Sequence, residues 1–345
     1  MADSPRRPSS AADDLPEVAP PNAGFLVQLF LVPAVIVGII VCVYLAFYWL
    51  AHLGNDPEGY IKALQRNTKG RWQAALNFAD DLRGRNGGRL KNDPVLAAKL
   101  AAILDAEVAS GKPRLSGEEG DQSRTLCGYL CRALGEFAVP EAAAPLLGRI
   151  TDPALPQIGQ AAVEAIALLA DNLRQAKRGF PDPAAVNDAL FAASRSDDAT
   201  LRSRAAYAIG VAVGPAGSDR LMELLVDGSD NVRYNAAIGL ARQGNAAAWE
   251  TLGEMLALPD VATTPGDESA QARRYKRVVI VVNALRGVGL LIDAGRAAPE
   301  AAIVQAITAL EKDPAADVRE AAAALQLKLG RLATPVEKAE SAVAP

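Results

Sequence analysis

Four groups of residues have types and spacings that could do chemistry. Cys127 and Cys131 stand four apart in "TLCGYLCRALG", which puts both thiols on one face of a helix. Such a pair could bind a metal, but no further Cys or His lies nearby to complete a tetrahedral site. The chain's single histidine, His52, closes an apolar run instead. Two small buried residues is the simpler reading, because free cysteine behaves as a small hydrophobe. No metal and no cofactor are expected, and three cysteines do not suggest a disulfide framework.

Gly111-Lys112 invites a phosphate-loop reading. It fails, because the upstream glycine is missing and Pro113 takes the Ser/Thr place. Carboxylate pairs can hydrolyse glycosides, yet the acidic residues here fall at turns and on polar helix faces. HExxH, GxSxG, Walker and Rossmann strings are absent, so no catalytic residue is expected.

The fourth group exceeds background. "GDESAQARRYKRVVIVV" gathers Arg273, Arg274, Lys276 and Arg277 around Tyr275. Cations in the first turns of a helix oppose its dipole, so helix stability does not explain them. They suit an anionic partner or a lipid headgroup, or else form a solvated face neutralised by Asp267 and Glu268. The loop 258–270, "LPDVATTPGDESA", interrupts the pattern and is the most plausible insertion for reading a partner.

The elements that must position these groups are helices. The chain has 345 residues, a net charge of −4 and 50% apolar residues, with only 5% aromatic. Such a chain can bury a thin core of small side chains. The mild acidity weighs against a nucleic-acid binder, which needs a basic stripe, and no nucleic acid is expected. Residues 1–23 are rich in Pro, Ser, Ala and charge and read as a disordered tail. Residues 24–53 carry no formal charge and are long enough to cross about 30 Å of hydrocarbon as a helix. Tyr44, Tyr48 and Trp49 gather at the C-terminal end, where interfacial aromatics belong. The run exceeds a signal-peptide core and lacks a small-x-small cleavage site, so a retained single-pass anchor in the lipid bilayer is expected. Arg6 and Arg7 precede it, and Lys62, Arg66, Lys69 and Arg71 follow it. That count leans towards a cytoplasmic body.

Residues 57–119 carry helix signals and are compatible with an N-terminal cap, with residues 110–122 forming a polar loop. From residue 120 to 330 a pattern recurs. "LRSRAAYAIG", "VRYNAAIGLA" and "VREAAAALQL" start at Leu201, Val232 and Val318, each followed by arginine. Paired alanines follow: Ala205-Ala206, Ala236-Ala237 and Ala322-Ala323. Copies from Leu126 and Ile158 are looser, and one near "RVVIVVNALRG" keeps Ala284-Leu285 but fills the earlier places with valines. A second helix follows each: "PEAAAPLLGRI", "AAVNDALFAAS", "SDRLMELLVD", "AWETLGEMLAL" and "PEAAIVQAITAL". Self-similarity at such periods marks a solenoid, in which stacked hairpins bury what one cannot. The small pairs let neighbouring helices approach closely. Asp227 and Asp313 share a register ahead of the arginines, and suit a helix start. Arg202, Arg233 and Arg319 can then reach acidic residues in adjoining turns, a stacking ladder with Asp227 and Asp313. Residues 331–345 read as a frayed tail.

The pattern D-x-x-x-[DN]-V-R-x-x-A-A in Asp227–Ala237 and Asp313–Ala323 resembles the HEAT-repeat family, in the variety resembling phycobilisome-lyase repeats. The resemblance implies an all-α solenoid and a protein-binding scaffold. It implies no lyase activity, since the matched residues are packing residues. The expectation is a non-enzymatic, membrane-tethered scaffold or adaptor, with Arg273, Arg274, Tyr275, Lys276 and Arg277 as partner-binding residues and the protein partner unidentified. The alternative is an accessory subunit of a membrane enzyme or transport complex, assembled through the small face of Ala34 and Gly38.

Overall fold

The computed structural model describes residues 23–52, 57–66, 68, 70–84, 87–259, 269–295 and 300–333. The expected tails at 1–22 and 334–345, most of the 258–270 loop, and Lys69 lie outside the described residues. The chain divides into two units, residues 1–56 and 57–345.

The first unit contains α1 (Ala23–His52). Its stretch Val27–Tyr48 has a mean hydropathy of 2.9 over 22 residues, about 33 Å of helix at 1.5 Å per residue. It is long and apolar enough to cross a membrane. Pro33 lies inside the helix, and every described side chain from Val27 to Tyr48 is exposed.

The second unit holds helices joined by turns, with no strand among its described residues. It runs α2 (Pro57–Gln65), α3 (Arg71–Arg83), α4 (Gly87–Leu90), α5 (Pro94–Ala109), α6 (Glu118–Gly135), α7 (Ala143–Ile150), α8 (Pro156–Gln175) and α9 (Pro183–Ala193). It continues α10 (Ala199–Ala208), α11 (Ser218–Leu224), α12 (Asp230–Arg242), α13 (Trp249–Leu256), α14 (Ala270–Asp293), α15 (Ala301–Leu310) and α16 (Ala316–Ala333). Capping explains several starts. Asp93, Asp182, Asp198 and Ser269 accept backbone N–H bonds at α5, α9, α10 and α14, satisfying donors that the first turn leaves open. The polar loop expected at 110–122 ends early, because Glu118, Glu119 and Asp121 favour the N-terminal end of α6. α16 runs three residues past the expected end of the array.

Two layers result. In one, α3, α6, α8, α10, α12, α14 and α16 each pack on the next. In the other, α5, α7, α9, α11, α13 and α15 each pack against the first-layer helix that follows them. This is the architecture of an α-solenoid. The α3–α5 hairpin enters the stack as its first member, since α3 packs on α6 as α6 packs on α8. One continuous core runs between the layers, from Ile61 to Leu325.

The alanine pairs lie in that core. Ala205, Ala206, Ala236, Ala237 and Ala322 are completely buried, while Ala323, on the last described helix, is exposed. Close approach is most acute between Gly210 and Gly239, where a Cβ on Gly210 would sit 2.4 Å from the Gly239 Cα. Helix α10 also passes into a π-turn over Ile209–Val213 and ends at Gly214, whose φ of +66° favours glycine.

The aspartate register is built as follows. The Asp227 carboxylate accepts Arg202 Nε at 2.9 Å and Nη2 at 3.0 Å, and also the backbone N–H of Ser229. Asp313 does the same with Arg277 Nη2 at 2.6 Å and the N–H of Ala315. Arg202 and Arg277 thus reach from one first-layer helix to the turn before the next. Arg233 turns to Glu254 of its own hairpin at 2.7 Å and to Asp230. Arg319 donates to the Asp313 and Pro314 carbonyls of its own turn, not to an acid in a neighbouring layer. The Arg202 guanidinium holds the Asp227 carboxyl below the usual carboxylate range against the opposing effect of burial.

Candidate functional site

The start of α14 separates the basic cluster. Arg277 is buried and committed to Asp313 and to the Leu258 carbonyl. It is therefore corrected from partner-binding to a stacking rung, the counterpart of Arg202. One residue earlier Lys276 is exposed, as are Arg274 and Tyr275, the last at 73%. Neither Arg274 nor Lys276 has an ion-pair partner among the described residues. Arg273 is half-buried. The i, i+1 change of direction on a helix accounts for the split: successive residues point about 100° apart.

Lys276 overlooks a cleft of about 400 Å³ between α10, α12 and α14. Ser203, Asn231 and Asn235 form one wall, and Val279, Ile280 and Asn283 the other. Asn235 Nδ2 donates to the Ser203 carbonyl at 3.1 Å and to its Oγ at 2.9 Å, which fixes the first wall. The side-chain amides of Asn231 and Asn283 have no hydrogen-bond partner among the described residues. Tyr234, which also lines the cleft, donates to Glu254 at 3.1 Å. Its pKa is pushed up to about 12 by burial and then by Glu254, so it remains a neutral donor at physiological pH. A contiguous cleft of about 670 Å³ adds Arg273, Asp230, Leu258 and Pro259.

The asparagines and Ser203 were not singled out in the sequence. Asn283 carried a usable signal, since it stands among valines just before the Ala284-Leu285 pair. Chemically, an ammonium with free amides around an apolar floor can bind an anionic group and the polar atoms beside it. No nucleophile–base pair accompanies them.

The other candidate groups fall elsewhere. Cys127 and Cys131 are completely buried between the layers. Burial, then Glu107, pushes the Cys127 thiol up to about 12, and burial raises Cys131 as well. Both are protonated at neutral pH. Near them Glu107 is buried and accepts Arg71 Nη1 at 2.7 Å and Ser123 Oγ at 2.5 Å. Glu136 is likewise buried, held by Arg83 and Lys91. These polar pairs tie α3, α5 and α6 together and went unnoticed in the sequence, because their partners are 16 to 53 residues apart.

Residues 187–264, which span α9 to α13 and this cleft's α12 wall, match the family model for HEAT repeats. The match is to HEAT repeats as such, without the phycobilisome-lyase variety. No curated protein matches the chain. The solved structures that match include human deoxyhypusine hydroxylase in complex with glycerol, at 18% identity and a TM-score of 0.30, covering 79% of this chain and 95% of that one. With an enzyme among the similar structures, the expectation of a non-enzymatic scaffold or accessory subunit is corrected and not carried forward. At that TM-score the likeness assigns this chain neither a reaction nor a substrate.

Proposed function

We propose that this is a single-pass membrane protein whose helical-repeat body binds an anionic ligand in the cleft between α12 and α14. The observation that carries the reading is Lys276, a cation without an ion-pair partner among the described residues, which overlooks a cleft lined by Asn231 and Asn283, whose amides are likewise without a partner among those residues. Elsewhere several described arginines are committed to acids, as Arg71, Arg83, Arg202, Arg233 and Arg277 are. An ammonium group beside side-chain amides in a concave site suits a phosphate or carboxylate. Arg274 adds charge in the same turn of α14, and Arg273 lines the adjoining cleft.

The anchor is α1, whose length and hydropathy support a span. The four cations at positions 62, 66, 69 and 71, against two ahead of the span, favour a cytoplasmic body. Tethering would hold the cleft among the ligands that collect at that surface.

Full-length protein in phosphatidylcholine nanodiscs should bind glycerol 3-phosphate saturably by calorimetry. The Arg274→Glu/Lys276→Glu variant should bind at least about ten-fold more weakly, since charge-assisted bonds are lost. Absence of saturable binding by the wild type, or equal binding by the variant, would overturn the reading.

A further inference from the structure

The polar cleft does not end at Asn283. A longer groove of about 1170 Å³ runs along α14 between α12 and α16, and Tyr275, Val279 and Asn283 line both. Its floor includes Val278, Val282, Leu285 and Leu325. On the outer face of α14, Tyr275, Val279 and Leu290 are exposed large hydrophobics at 73%, 40% and 39%. Residues 275 to 290 span about 22 Å of helix. The groove carries charges of both signs along that length. Arg274 and Lys276 stand at the N-terminal end of α14, and Asp293 stands at the other, paired with Lys328. Asp317 and Glu320 line the α16 side, and Arg242 and Arg286 also line the groove.

We propose that the ligand is an anionic amphiphile: a single alkyl or acyl chain bearing a phosphate or carboxylate head. The head lies at Lys276 and the chain lies along Val279 and Val282 towards Leu290. This rests on the anion-binding reading above and deepens it. A soluble anion would use the cleft and leave the valine strip uncovered. An extended peptide would set its backbone N–H and C=O groups against valines that cannot pair with them. A hydrocarbon chain has no such groups and gains from burial along the whole strip. The head takes the Lys276 end because that is where the anion-binding cleft joins the groove, through Tyr275, Val279 and Asn283.

The test uses full-length protein in phosphatidylcholine nanodiscs and a dodecyl phosphate carrying a photoreactive diazirine on its chain. Crosslinks should map to the α14 peptide between Val279 and Leu290. They should fall at least about ten-fold in Lys276→Glu and in Val279→Asp, both exposed positions whose melting curves should match the wild type. Dodecyl phosphate should compete at least about a hundred-fold better than glycerol 3-phosphate, given the chain it buries. Equal competition would overturn the amphiphile while leaving the anion site intact. Failure of glycerol 3-phosphate to bind at all would instead remove the anion site itself. Crosslinks confined to α1, or capture of a protein in place of the phosphate by a photoreactive residue at Val279, would also overturn the proposal.

Discussion

The seam between α10 and α12 and the seam between α12 and α14 follow one repeat register but end differently. At the first, Ala205, Ala206, Ala236 and Ala237 are wholly buried, and Gly210 meets Gly239 backbone to backbone. At the second, the corresponding early places hold valines. Gly287 meets the side chains of Leu252 and Ile238 rather than another backbone, and the cleft under Lys276 opens beside them. Small residues let helices close on each other; branched ones hold them apart. A few side chains thus decide whether a seam is core or site.

The Arg–Asp rungs of the stack differ as well, Arg202–Asp227 crossing the α10–α12 seam and Arg277–Asp313 the α14–α16 seam, and they give the largest expected effect. Arg277–Asp313 is buried, whereas Arg202 keeps a fifth of its side chain exposed. Arg277→Ala should destabilise the body by about 3–5 kcal/mol, because it strands a buried carboxylate. Arg202→Ala should cost only about 1–2 kcal/mol. Chemical denaturation of both variants checks the ranking, and equal costs would break the distinction between the buried and the part-exposed rung.

Next comes the closed seam itself. Gly210→Val must force two helix backbones apart, with an expected loss of about 3 kcal/mol. Gly253→Ala, whose new Cβ would meet only Ile303 Cγ1 at 3.8 Å, should instead stabilise α13 by about 0.5–1 kcal/mol. Thermal melts of the two variants should therefore move in opposite directions.

A smaller effect depends on pH. Asp227 titrates below its unfolded value because Arg202 bonds the carboxylate. A depressed carboxylate adds stability that is present above the unfolded pKa of about 3.9 and is lost as pH falls through the folded value. The advantage of the wild type over Asp227→Asn should therefore be constant above about pH 5 and vanish in acid. An advantage that grew in acid would contradict the pairing.

Much of this was legible in the sequence. Alanine pairs, the aspartate turn and the second helices all reflect local rules, so the solenoid stack could be read from spacing. What escaped depended on distance. Arg277 hid among exposed cations because its aspartate lies 36 residues on, against 25 for Arg202. Glu107 and Glu136 looked like surface acids until their arginines met them from other helices. The valines near Asn283 were visible, but only packing shows that they leave a cleft. The expectation about catalysis rested on missing motifs, which constrain function far less than fold.

The smallest effect on stability carries the main claim. Lys276 is exposed, so Lys276→Glu should leave stability unchanged within about 0.5 kcal/mol, and only binding should respond. Hydrogen exchange of the full-length protein, with and without saturating glycerol 3-phosphate, is the most direct measurement. The account predicts slower exchange in 229–235 and 274–283, no change across the Gly210–Gly239 seam, and loss of the effect in Lys276→Glu. Protection spread evenly over the array, or none at α14, would contradict it.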